Sequence, residues 1–128
     1  MRLPAEHLEL LDGPHTAVLA VLMAAGRPQA SPVWFLREGD EIFVSSRAGG
    51  WRERHVREHG AVALTVFDPA NPMSYVEVRG DAQVEDDPTA ATRDAVVRKH
   101  GYDDGSAFDP PGTHRITIRI TPVAVHGR

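Results

Sequence analysis

Strict alternation of apolar and charged residues leaves this chain few folds to choose from. Over His114–Ile120, Ile116, Ile118 and Ile120 alternate with Arg115, Thr117 and Arg119, so an extended segment has one greasy face and one wet face. Ser74–Glu85 repeats the pattern, with Tyr75, Val76, Val78, Ala82 and Val84 separated by charge and Gly80 marking a bulge. Thr16–Met23 is a nearly continuous apolar run bounded by Asp12-Gly13-Pro14 and Ala25-Gly26. Ser31–Arg37 and Glu41–Ser46 predict a hairpin over a short glycine-containing turn. Ala61–Asp68 is a further strand, stopped by Asp68-Pro69-Ala70-Asn71-Pro72, and Val123–His126 is a short last one after Pro122.

Three helices fit between these strands. Pro4–Leu11 is short. Trp51–His59 ends at Gly60, the C′ position where a left-handed residue closes a helix. Pro88–His100 is predicted with Asp87 as N-cap, Pro88 as its first residue and Gly101 as its stop. Tyr102–Gly112, rich in proline and glycine, reads as a mobile loop. The expected fold is mainly β: residues 1–128 form a single domain, a six- to seven-stranded antiparallel barrel with small α additions.

Composition narrows the chemistry. With no cysteine among 128 residues, disulfides, thiolate catalysis and cysteine-held metals are excluded, and a reducing cytoplasm is the expected setting. The first residues carry acid and proline early and lack an apolar core, so no signal peptide is expected; Ala17–Ala25 is too short to span a bilayer. A net charge of -4 argues against nucleic acid as a partner. No Ser/His/Asp order supports a hydrolase. His55 and His59 stand at a spacing that could hold zinc, but no third ligand accompanies them, so no metal is expected.

The basic residues are local, and their place is informative. Ser45-Ser46-Arg47 ends a strand, Gly49-Gly50 follows, and Trp51-Arg52-Glu53-Arg54-His55 opens a helix. Free backbone N–H groups at a helix start attract anions and arginine completes the cage, so this stretch suits a phosphate. The alternative is a solvated helix face, with Glu53 and Glu58 pairing the arginines locally. Trp34 is open to two readings, a core aromatic or a residue facing a ligand or interface, and Trp51 to packing, stacking on a ligand or blocking it.

The order of these motifs resembles a known family. Gly-Arg-Pro-Gln-x-Ser-Pro-Val-Trp-Phe (26–35), a strand ending Val-Ser-Ser (44–46), Arg-x-Arg-His-Val (52–56), Asn71–Ala82 and Arg115–Pro122 together resemble the split-barrel superfamily of pyridoxamine 5′-phosphate oxidase. Within it the chain looks most like the branch that uses the deazaflavin F420. The resemblance implies a homodimer whose two cofactor sites are each shared between subunits. It implies that the ring system lies along Ser31, Pro32, Val33 and Trp34, and that the phosphate meets Ser45, Gly50, Arg52 and His55, with Ser46 also among the cofactor-binding residues. Arg47 and Arg54 would add charge for the longer F420 tail, Trp51 would stand beside the phosphate, and the opposite subunit would bring Met73 and Tyr75. The branch carries lysine where this chain has Arg52 and asparagine where it has His55; the guanidinium offers a bidentate fork in place of a point charge. The implied activity is hydride transfer between reduced F420 and a small organic acceptor. The alternatives are an FMN-dependent oxidoreductase on the same fold, and a protein that binds the cofactor without turnover.

Overall fold

The alternating segments pair into one antiparallel sheet, seen in a computed structural model that describes residues 1–128. Its strands are β1 (Ala17–Leu22), β2 (Pro28–Val33), β3 (Leu36–Glu38), β4 (Glu41–Arg47), β5 (Ala61–Asp68), β6 (Asn71–Asp87) and β7 (Arg115–Gly127), in the order β2-β1-β5-β6-β7-β4-β3. The outermost strands, β2 and β3, are separated in the chain by Trp34 and Phe35 alone. Seven strands laid flat would be about 29 Å across, far beyond the reach of two residues. The sheet therefore curls until its edges lie side by side, a barrel split between β2 and β3. Ala17, Leu19, Val21, Leu64, Val66, Val78, Ile118 and Ile120 point inward and are buried, with Phe35 fully buried beside them. Three helices decorate this barrel: α1 (Leu8–Asp12), α2 (Trp51–His59) and α3 (Ala91–Lys99). None is long and apolar enough to cross a membrane.

Two glycines act as the sequence suggests. Gly60 caps α2 at φ 68°, its N–H donating to the Val56 carbonyl. At Gly80 the β6–β7 register shifts; the extra residue is Val123 on β7, and a Cβ on Gly80 would lie 2.6 Å from the Thr121 carbonyl oxygen. That bulge lets β7 run unbroken through Pro122, so the expected separate last strand is instead the end of β7.

Other expectations need correction. Ser31–Arg37 does not form one arm of a hairpin: Pro28–Val33 pairs with β1, and the short β3 alone pairs with β4. The chain must cross from one sheet edge to the other at Trp34-Phe35, which breaks the strand. The third helix begins at Ala91, because Asp87–Ala90 forms a turn that leaves Pro88 outside; the Asp87 carboxylate still accepts from the N–H groups of Ala91 and Thr92. The first helix opens as a 3₁₀ turn at Ala5–His7 before α1.

Residues 102–112 are anchored rather than loose. Asp109, with 3% of its side chain exposed, accepts from Arg115 Nε (2.8 Å) and Nη2 (2.5 Å) and from Arg93 Nη1 (2.9 Å). Arg47 Nε lies 3.5 Å from the same carboxylate, and its Nη2 donates to the Phe108 carbonyl. A charge-paired carboxylate among three guanidiniums offsets the entropy that a proline- and glycine-rich loop would otherwise keep.

Candidate functional site

The split in the barrel opens into a row of recesses. Pro32, Val33 and Trp34 enter from the end of β2, Ser45 from β4, Arg52 from the first turn of α2, and Arg93, Val96 and Val97 from α3; with Phe108 and Arg115 they line a recess of about 230 Å³. A second recess of about 270 Å³ lies between Ser46, Arg47, Gly50, Trp51, Arg52 and Arg115. A third, shallower and mostly apolar, of about 310 Å³, is bounded by Thr16, Pro32, Val33, Trp34 and Phe108.

Arg52 stands between the first two recesses. Its Nη2 donates to Ser31 Oγ at 3.0 Å and its Nη1 approaches Ser46 Oγ at 3.5 Å, while its guanidinium lies 4.8 Å from the centre of the Trp51 ring. No carboxylate pairs with it. Its Nε is buried without a hydrogen-bond partner, as is the neighbouring Ser45 Oγ. Burial, reinforced by the positive Arg115, pushes the Arg52 guanidinium below its ordinary pKa. Asp109 is the opposite case: the Arg115 hydrogen bonds hold its carboxyl far below the usual carboxylate range against the pull of burial, with Arg93 adding to the effect.

Trp34 is fixed by an aromatic cluster. Its ring stacks on His100 at 3.8 Å and 8°, with Phe108 edge-on at 6.1 Å and Tyr102 at 6.0 Å, and its Nε1 donates to Thr16 Oγ1. Burial lowers the His100 pKa, favouring the neutral ring in that stack. Beneath it, Lys99 Nζ donates to the carbonyls of Leu11 and Phe35, and burial pulls the amine down to about 8.

Ser31, Pro32, Val33, Trp34, Ser45, Ser46, Arg47, Gly50, Trp51 and Arg52 thus converge around the split. His55 does not join them: it is buried under α2, with its Nδ1 unpartnered and 3.8 Å from Glu58 Oε2, and it lines neither basic recess. Met73, exposed, and Tyr75, half-buried, sit at the start of β6 and line none of the three recesses in this chain. Arg47 is occupied with Asp109 and the Phe108 carbonyl.

Arg93, Phe108, Asp109 and Arg115 are contributors that sequence reasoning passed over. Arg115 sits on the polar face of the alternating last strand, where arginine ordinarily meets solvent. No local pattern marks it, because Arg115 comes to lie directly opposite Arg47 only when β4 and β7 pair. Like charges facing one another in a sheet require a counter-ion, which Asp109 supplies.

Residues 3–127 match the family model described as pyridoxamine 5′-phosphate oxidase. The chain belongs to that family. Its split barrel is the flavin- and deazaflavin-binding oxidoreductase fold of the pyridoxamine 5′-phosphate oxidase family. No match was found among curated protein sequences. A solved F420 reductase is similar over 97% of this chain and 98% of its own, at 30% identity and a TM-score of 0.82. A conserved hypothetical protein from Mycobacterium tuberculosis superposes at 0.79 with 18% identity, over 99% of this chain and 84% of its own. General Stress Protein 26 from Bacillus anthracis superposes at 0.71 with 18% identity, over 94% and 93%. The last two share the fold.

Proposed function

We propose that this protein is an F420-dependent oxidoreductase of the cytoplasm, acting as a homodimer and moving a hydride between reduced deazaflavin and a small organic acceptor. The observation that carries the reading is Arg52. A half-buried guanidinium without a carboxylate, its Nε and the nearby Ser45 Oγ both buried and unpartnered, is unfavourable by itself. Such a group is retained where an anion supplies the missing acceptors. A phosphate fits that donor set, since arginine presents a fork and Ser31, Ser45 and Ser46 add hydroxyls. Similarity to an F420 reductase along nearly the whole chain supports the deazaflavin over FMN.

When bound, the deazaflavin would supply the hydride-carrying ring carbon. The chain itself contributes binding and orientation. Pro32–Trp34 would run along the ring, with Trp34 held in one attitude by His100 and Phe108. Arg52 and its serines would hold the phosphate, and the apolar recess beside Trp34 would receive the acceptor and exclude water from it. Met73 and Tyr75 would serve the site of the other subunit.

Parallel titrations of the purified protein with F420 and with FMN, read by fluorescence quenching, test the reading. Submicromolar F420 binding with much weaker FMN binding is the expected result, followed by oxidation of reduced F420 with an acceptor panel. Preference for FMN would move the chain to the flavin-dependent enzymes. Tight F420 binding without any turnover would make it a carrier.

A further inference from the structure

Arg52 and Arg115 are the two residues common to both basic recesses. They come from different elements, Arg52 from α2 and Arg115 from the first position of β7. Their commitments differ from those of the arginines around them. Arg93 is fully engaged, Nη1 on Asp109 and Nε and Nη2 on Asp94. Arg115 turns its Nε and Nη2 edge to Asp109, and its Nη1 donates to no protein acceptor. Arg52 has serine hydroxyls only. Four guanidiniums around the recesses therefore face two carboxylates, Asp94 and Asp109, leaving two positive charges unanswered.

We propose that Arg115 is the second arm of the anion site: Arg52 and Arg115 clamp the cofactor phosphate from two sides, with Asp109 holding Arg115 in place. A guanidinium has two usable edges, and Asp109 occupies one of them. The other, through Nη1, remains for an acceptor in the recess. Pinning by a buried carboxylate orients Arg115 before the ligand arrives, so little side-chain freedom is lost on binding. The clamp accounts for the arrangement of like charges better than loop anchoring does. Arg93 by itself gives Asp109 a charged partner, whereas Arg115 adds a second positive charge beside Arg52. This assignment rests on the cofactor reading only for the identity of the anion.

The test compares ligands that differ by the phosphate. FMN and riboflavin, and F420 and its phosphate-free deazaflavin chromophore, are titrated against wild type, Arg115→Gln, Arg115→Lys and Arg52→Gln. Circular dichroism confirms the fold of each variant. Arg115→Gln is expected to weaken the phosphorylated ligands about ten- to a hundredfold, as loss of a charge-assisted bond does. Riboflavin and the bare chromophore should change less than about twofold, since their rings make the same contacts. Arg115→Lys, which retains the charge but not the fork, should fall between and stands in should the glutamine variant fail to fold. A parallel loss for ligands with and without phosphate would overturn the assignment, making Arg115 a support for the loop. Unchanged FMN and F420 binding would overturn it too, and if Arg52→Gln alone loses affinity the cofactor reading stands while the clamp falls. If wild type binds neither cofactor, the cofactor reading fails and inorganic pyrophosphate decides the clamp: thermal protection of wild type but not of Arg115→Gln supports it, and any other pattern overturns it.

Discussion

Replacing Asp109 by asparagine tests how the site is held open. The carboxylate is 3% exposed and receives hydrogen bonds from Arg115 and Arg93, with Arg47 close by. Hydrogen bonds to charged groups contribute about 1.5–3 kcal/mol each, and removing one partner of a buried ion pair costs about 3–5 kcal/mol. Arg93 keeps Asp94, and asparagine keeps one acceptor oxygen, so the loss should fall near the lower end, about 3 kcal/mol. For a domain of this size each kcal/mol moves the melting temperature by roughly 3–5 °C, giving a drop of about 10–15 °C. Thermal unfolding followed by circular dichroism measures it. The pH dependence is sharper still. Asp109 is held well below its unfolded pKa, so as the medium is acidified the unfolded chain takes up a proton that the folded chain refuses. The stability that Asp109 provides is therefore complete above about pH 5 and declines as pH falls through the unfolded carboxylate value of about 3.9. The gap between wild type and Asp109→Asn should be widest near neutrality and narrow toward about pH 3. A gap below about 1 kcal/mol, or one that stays constant with pH, would refute the account of the loop.

Two further variants probe neighbouring groups. Arg52→Ala should weaken cofactor binding by about 1.5–3 kcal/mol in the same titrations, yet leave the melting temperature of the ligand-free protein unchanged or slightly raised, because the guanidinium it removes is desolvated and lacks a carboxylate. A large loss of apo stability would show that Arg52 is a structural strut. Lys99→Met addresses the amine that burial holds near 8. The folded chain releases that proton before the unfolded chain does, so wild type should gain stability relative to Lys99→Met as pH rises from about 8 to about 10. Chemical denaturation across that range reads the difference, and a flat one would count against the buried charge.

The strands were legible because burying one sheet face imposes a period of two, and Ile116, Ile118 and Ile120 show it plainly. Gly60 was legible because few residues other than glycine tolerate its φ of 68°. What escaped depends on contacts between distant residues. Ser31–Arg37 reads as one strand, but its break at Trp34-Phe35 follows from closing the sheet, which no local pattern announces. The loop 102–112 has the composition of a mobile segment, and a single carboxylate, Asp109, overrides that composition by meeting arginines from three separate elements. Arg52 was legible from its neighbours in sequence; Arg115 was not, since it joins Arg52 only after β7 has paired with β4. His55, one helical turn beyond Arg52, lies near the same side of α2, yet it is buried and lines neither basic recess, which the motif alone does not reveal.

The position of the site follows from the fold's unfinished closure. A barrel that closes without a ladder leaves the edges of β2 and β3 facing each other, and unpaired strand edges invite association. This chain manages its edge locally: Pro32 removes one donor, α3 packs beside β4, and Phe108 is brought against Trp34 by the Asp109 anchor. Those same devices border the recess that Val33, Val96, Val97 and Phe108 share with Arg52 of α2 and Arg115 of β7. In the function proposed above, the ring would lie along Pro32–Trp34 and the phosphate would meet these arginines. If Phe108 were cut back to alanine, the edge would lose its cover and the ring its wall together, so one substitution should raise aggregation of the ligand-free protein and weaken cofactor binding in the same preparation. Riboflavin and FMN should then weaken by the same factor, measured by fluorescence titration, because the Phe108 ring packs on Trp34 and Tyr102 and, being apolar, offers a phosphate no hydrogen bond. A loss confined to FMN would place Phe108 on the phosphate instead and contradict this view of the split.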